Sequence, residues 1–158
     1  MMRLAAVAVI ALIVGAGTAA GETADGAAAL AMSAIVGGYS PLLSAEQKAV
    51  LTTLLDGGAP SDLGTPQIAI TASAIDCRAG NVDVASFACN LTFGSKTVQL
   101  SGRRAHELYA TLAEIGVTAD GAAGSMHRTV SSLHCTIDPA GILRHDGGGA
   151  HCVSRSSR

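Results

Sequence analysis

The sequence predicts an α+β protein: an antiparallel sheet of about four to five strands with one helix packed on it, preceded by two N-terminal helices and held by two disulfides. Three observations carry this prediction. All four cysteines, Cys77, Cys89, Cys135 and Cys152, fall between Ile75 and Val153, among the apolar runs with readable periodicity. Phe87, Cys89, Leu91 and Phe93 alternate with Ala88, Asn90 and Thr92, and Gly94-Ser95 follows as a two-residue turn. Ala105, Leu108, Tyr109, Leu112 and Ile115 then recur at helical spacing.

The chain opens with Met1-Met2-Arg3, an unbroken apolar stretch from Leu4 to Val14, and small residues from Gly15 to Ala20. This order predicts an export signal cut after Ala20, with Thr18 at the third position back. The apolar stretch is shorter than the roughly 18–20 residues that span a bilayer, so no membrane anchor is expected after cleavage. The expected organisation is a signal peptide over 1–20, an N-terminal helical arm over 21–58, a linker over 59–66, a disulfide-stapled α+β domain over 67–154 and a tail over 155–158.

Within the arm, Glu22 to Val36 reads as an alanine-rich helix with Asp25 as N-cap and Gly37-Gly38 as its stop. Its apolar face, Leu30, Ala31, Ala34 and Ile35, is thin, which predicts an arm that orders only on meeting a partner. A second helix is better specified. Ser44 and Gln47 fit a capping box, Val50, Leu51, Leu54 and Leu55 form a stripe, and Asp56-Gly57-Gly58 ends it.

Extended structure begins at Gln67. Ile68, Ile70 and Ala72 share one phase while Ile75 and Cys77 share the other, so a bulge or strand end is expected near Ala74. The Gly94-Ser95 turn fixes the next register, setting Leu91 opposite Val98 and Cys89 opposite Leu100. The helix from Arg103 to Ile115 is given Ser101 as N-cap and a Schellman ending at Gly116-Val117. Thr118 to Arg128 reads as a loop with a turn at Asp120-Gly121. Leu133, Cys135 and Ile137 form a strand, Asp138 to Gly141 a turn, His145 to Gly149 a flexible loop, and Ala150 to Val153 a last short strand. No internal repeat is legible.

Four cysteines allow three pairings. Cys77–Cys89 with Cys135–Cys152 is favoured because each pair flanks a turn-rich segment beside predicted strands. The staples matter because the apolar fraction of 49% is rich in alanine, and only two Phe and two Tyr supply aromatic bulk. Small side chains bury little area, at about 25 cal/mol per Å².

A net charge of −2 falls by one unit when Arg3 is removed, and this mildly acidic, unclustered distribution excludes nucleic acid and anionic membrane as partners. No cofactor motif is present. His134-Cys135 and His151-Cys152 are identical dipeptides, and if the cysteines pair across strands the two histidines share the opposite face on a diagonal. With His106 or His127 near, that pair would suit a periplasmic metal-binding protein or small enzyme; otherwise they are solvent-facing histidines beside a disulfide. Ser125 and His127 set a nucleophile near a base, but without the glycine that completes a nucleophile elbow. The first reading is a small exported, non-catalytic binding protein, protease-inhibitor-like, whose disulfide-anchored loops meet an extracytoplasmic protein. Its candidate contacts are Asp120 and His127 in one loop and Ile142, Leu143, Arg144 and His145 in the other. The Glu22–Val36 helix could instead meet a second copy.

Overall fold

The computed structural model describes residues 22–59, 66–144 and 149–156. The expected export signal, most of the linker, His145 and the three residues after it lie outside them. Along the chain run β1 (Glu22–Asp25), α1 (Gly26–Tyr39), α2 (Ala45–Leu55), β2 (Ile68–Ala72), β3 (Ala74–Ala79), β4 (Phe87–Phe93), β5 (Lys96–Ser101), α3 (Arg103–Glu114), β6 (Met126–Val130), β7 (Ser132–Ile137), α4 (Pro139–Arg144) and β8 (Ala150–Arg155).

The class is α+β, but the expected single sheet is two four-stranded antiparallel sheets, ordered β1-β8-β7-β2 and β5-β4-β3-β6. The phase change expected near Ala74 is where they meet. β2 passes into β3 through Ser73 alone, and β6 into β7 through Ser131 alone. The register of β2 on β7, with Ala72 opposite Leu133, continues unbroken into β3 on β6, with Ile75 opposite Val130. The sheets are therefore two wings of one long ribbon bent at its middle.

That bend is the centre of an internal duplication which the sequence does not announce. Matching the sheet orders strand for strand pairs β5 with β1, β4 with β8, β3 with β7 and β6 with β2, and α3 with α1. One half is contiguous, Ala74 to Val130. The other is the same β-β-β-α-β unit opened between its second and third strands, with β7 and β8 at one end of the chain and β1, α1 and β2 at the other. The correspondence reaches single contacts. Gly26 and Gly102 turn strand into helix with φ of 66° and 61°. The Cys152 sulfur lies 3.6 Å from the Ala29 carbonyl oxygen, and the Cys89 sulfur 3.5 Å from that of Ala105. At the bend, the Ser73 amide and hydroxyl both donate to the Thr92 carbonyl at 2.7 and 3.1 Å; those of Ser131 donate to Arg155 at 2.7 and 2.9 Å.

The same correspondence corrects the reading of the N-terminus. Glu22 to Asp25 form a strand rather than the first turn of a helix, because β8 would otherwise present an unpaired edge, and Ala24 sits opposite Cys152 there. Ser101 likewise ends β5 opposite Ala88, and Gly102 caps α3 without a side-chain bond. The positive φ at these glycines, costly for a side chain, is what the strand-to-helix turn requires. α1 packs its own chain's sheet instead of waiting for a partner. Ala29, Met32, Ile35 and Val36 join the single core with Leu108, Leu112, Leu91 and Leu133.

α2 has no counterpart in the other half. It starts on the expected capping box, Ser44 Oγ accepting from the Gln47 amide at 3.2 Å and Gln47 Oε1 accepting from the Ser44 amide at 2.9 Å. Its far end is tied to α3 by Arg104, which donates to Asp56 at 3.3 Å and to Glu107 at 3.0 Å, while Arg103 reaches Glu107 at 2.9 Å. Burial alone would raise the Glu107 pKa, but the hydrogen bonds from Arg103 and Arg104 outweigh it and hold the carboxyl below its usual range. The Glu107 hydrogen bond in turn raises that of Arg104. α3 closes on the expected Schellman pattern, with the Val117 amide on the Leu112 carbonyl and Gly116 at φ 90°. The hairpin register is as expected, Leu91 opposite Val98 and Cys89 opposite Leu100, with Gly94 at φ 60°.

Both favoured disulfides are formed, Cys77–Cys89 between β3 and β4 and Cys135–Cys152 between β7 and β8, each joining directly opposed residues. No cysteine is free. Such bonds persist in oxidising compartments. Among the described residues no helix is long and apolar enough to cross a membrane.

Candidate functional site

Each disulfide closes a connection between the first two strands of its half, and the two equivalent connections have diverged. In the discontinuous half, residues 138–144 and Gly149 fold onto the core. Asp138 accepts from the Ala140 amide at 3.1 Å and starts α4, Ile142 packs against the core, and Gly149 lies so close that a Cβ there would fall 2.3 Å from Ile142. The candidate contacts Ile142 and Leu143 are thus on a helical turn, partly buried, with Arg144 ending it. The turn expected from Asp138 to Gly141 is therefore the start of a helix. His145 lies outside the described residues.

In the contiguous half, residues 80–86 do the opposite. The segment holds itself in shape by polar bonds: the Asp83 amide on Asn81 Oδ1 at 2.7 Å, the Ala85 amide on Asp83 Oδ1 at 3.1 Å, and Ser86 Oγ receiving from the Asn81 amide at 3.1 Å while donating to the Asp83 carbonyl at 2.7 Å. These side chains replace the hydrogen bonds a ladder would supply. Their effect is to leave Val82 97% exposed at the tip. Of the four exposed large apolar residues among the described ones, three, Val82, Val84 and Met126, belong to this end of the sheet. Met126 opens β6 opposite Ala79, the last residue of β3, and Gly80 and Gly124 approach so that a Cβ on Gly124 would lie 3.7 Å from the Gly80 carbonyl oxygen.

The other two candidate contacts, Asp120 and His127, are brought together here. Their backbones exchange hydrogen bonds at 2.8 and 2.7 Å, so part of the expected 118–128 loop is strand β6 and the remainder is fastened to it. The His127 ring lies between Asp76, at 3.5 Å from Nδ1, and Ser125, at 3.5 Å from Nε2. This is the connectivity of an acid–base–nucleophile relay. Yet the His127 and Asp76 side chains are 40% and 50% exposed. At that distance beside water the contact is worth about 1 kcal/mol or less. The three side chains anchor the loop to the outer face of the sheet.

The histidines do not converge. His134 and His151 lie on β7 and β8 flanking the disulfide diagonally, as the alternation requires, and His134 Nδ1 is 2.8 Å from the Thr71 hydroxyl. His106 stands edge-on to Phe87 at 4.7 Å between ring centres on α3, and His127 is in the other sheet. Among the described residues no three His, Cys, Asp or Glu side chains are grouped to hold a metal ion.

Val82 is the residue that sequence reasoning missed. Its signal was present: a valine between asparagine and aspartate, inside a cysteine-closed loop. Comparison of the chain with known protein families, curated proteins and solved structures finds no match.

Proposed function

We propose that the protein is exported after cleavage near Ala20 and acts without catalysis, binding an extracytoplasmic protein through the 80–86 loop in the manner of a protease inhibitor. The observation that carries this is Val82, held in water on a loop closed by Cys77–Cys89 and fixed by its own hydrogen bonds. Burying such a side chain on a partner is worth about 1.5–3 kcal/mol. A loop already in one shape keeps most of that gain, because little ordering entropy remains to be lost on binding. Val84 and Met126 extend the apolar contact beside it, and Asp120 and His127 hold the adjoining loop. A small aliphatic tip fits a small, shallow specificity pocket, such as that of an elastase-type serine protease.

The test is inhibition of elastase-type, subtilisin-type and trypsin-type secreted proteases by the mature protein. Saturable slowing of an elastase-type enzyme is expected, with Val82→Arg moving the inhibition to a trypsin-type one. No slowing of any of them at micromolar protein overturns the inhibitor reading. Covalent labelling of Ser125 by an organophosphorus serine probe would overturn the non-catalytic part.

A further inference from the structure

A second surface, independent of the loop, lies between the helices. A cleft of about 350 Å³ separates α1 from α3, within the size range of small-molecule sites. It straddles the internal symmetry: Ala31 on α1 corresponds to Glu107 on α3, Ala34 to Ala110, and Ile35 to Thr111. Sites at the junction of two similar halves are common because the junction is concave. Here the two sides have diverged. The α1 side is aliphatic, and α2, the helix without a counterpart, adds Leu54 and Leu55 as a third, equally apolar wall.

The α3 side is polar, and most of its groups are already engaged. Glu107 is paired with Arg103 and Arg104, and the Thr111 hydroxyl donates to the Glu107 carbonyl at 2.9 Å. Glu114 is different. It is exposed, lines the same cleft, and takes part in no ion pair within the described residues. It also sits in the last turn of α3, where the carbonyl end of the helix dipole disfavours a negative charge by about 0.3–1 kcal/mol. A positive group beside it would relieve both the missing partner and the unfavourable dipole.

We propose that this cleft binds a small amphipathic cation, its aliphatic body against Ile35, Leu54 and Leu55 and its ammonium group at Glu114. An anion meets the Glu114 carboxylate there, Glu107 being already neutralised by Arg103 and Arg104. A neutral hydrocarbon leaves Glu114 as it was.

Calorimetric titration of the mature protein with octylamine, octanol and octanoate at neutral pH tests the assignment. Octylamine is expected to bind saturably, octanol about fivefold more weakly, as for loss of an exposed ion pair, and octanoate not at all. Glu114→Gln, an exposed change that spares the fold, should weaken octylamine to the level of octanol and leave octanol unaltered. Ala31→Trp, which fills the cleft, should abolish both. The proposal is overturned if octylamine does not saturate, if octanoate binds as well, or if Glu114→Gln leaves the preference for amine over alcohol intact.

Discussion

Replacing Met32 by alanine tests whether α1 is a structural member of the domain or an appendage. Met32 is 0% exposed and lies on the face of α1 turned to the β1-β8-β7-β2 sheet, at the position that Leu108 occupies on α3. Removing its thioether arm forfeits the transfer energy of the lost atoms and leaves a cavity, together about 2–5 kcal/mol for such a truncation. Taking about 3 kcal/mol, the urea midpoint should fall by roughly 1–2 M for an m value near 2 kcal/mol/M, and the melting temperature by about 10 °C. Far-UV circular dichroism is the suitable probe, since the chain has no tryptophan. Leu108→Ala should cost the same within about 1 kcal/mol, and Leu30→Ala, on the half-buried side of α1, clearly less. A loss under about 0.5 kcal/mol for Met32→Ala, the size of a surface change, would refute the packing of α1 and with it the duplication.

Replacing both members of either disulfide by serine should cost about 3 kcal/mol, and nearly the same for each, because the closed loops of 12 and 17 residues differ little in closure entropy; thermal melts of the two variants measure it. The Glu107 pKa is lowered by folding, so its contribution is complete above the ordinary glutamate value near 4.3 and is lost as pH falls through the lower folded value. Its solvent contact limits this to about 1 kcal/mol or less. Melting temperatures between neutral pH and about pH 3 should therefore fall less steeply in Glu107→Gln than in the parent, and parallel profiles would contradict the pairing.

Local signals in the sequence were reliable where local physics decides. The capping box at Ser44 and Gln47, the glycine-first hairpin at Gly94 and the Schellman ending at Gly116 each depend on a few neighbouring residues, and each stands as read. The failures share a cause: the competing partner was far away in sequence. Nothing in Glu22-Thr-Ala-Asp25 reveals that β8 awaits a neighbour, and alanine-rich helix propensity filled the gap. Met126 to Val130 carries no alternation because Arg128, on the core side of β6, rests its guanidinium on Tyr109 and donates to the Val117 carbonyl where an apolar residue would be expected. The duplication was hidden by its permuted order. The local traces are Thr71-Ala-Ser73 before Cys77 against Thr129-Val-Ser131 before Cys135, and Gly26, Ala29 and Ala34 against Gly102, Ala105 and Ala110. As for the candidate site, two equivalent disulfide-closed loops were on offer. Ile142 and Leu143 drew attention by their hydrophobicity, and that same property draws residue 142 into the core.

The interrupted order of one half bears on how the chain is made. A polypeptide emerging from its amino end brings out Ala74 to Val130 as a finished unit, with Cys77 and Cys89 ready to be oxidised to each other at once. The earlier helix α1 must wait, its sheet incomplete until β7 and β8 have been delivered. During that interval Met32 and Val36 have nowhere dry to go, so the nascent protein is most vulnerable to aggregation or proteolysis before β8 emerges.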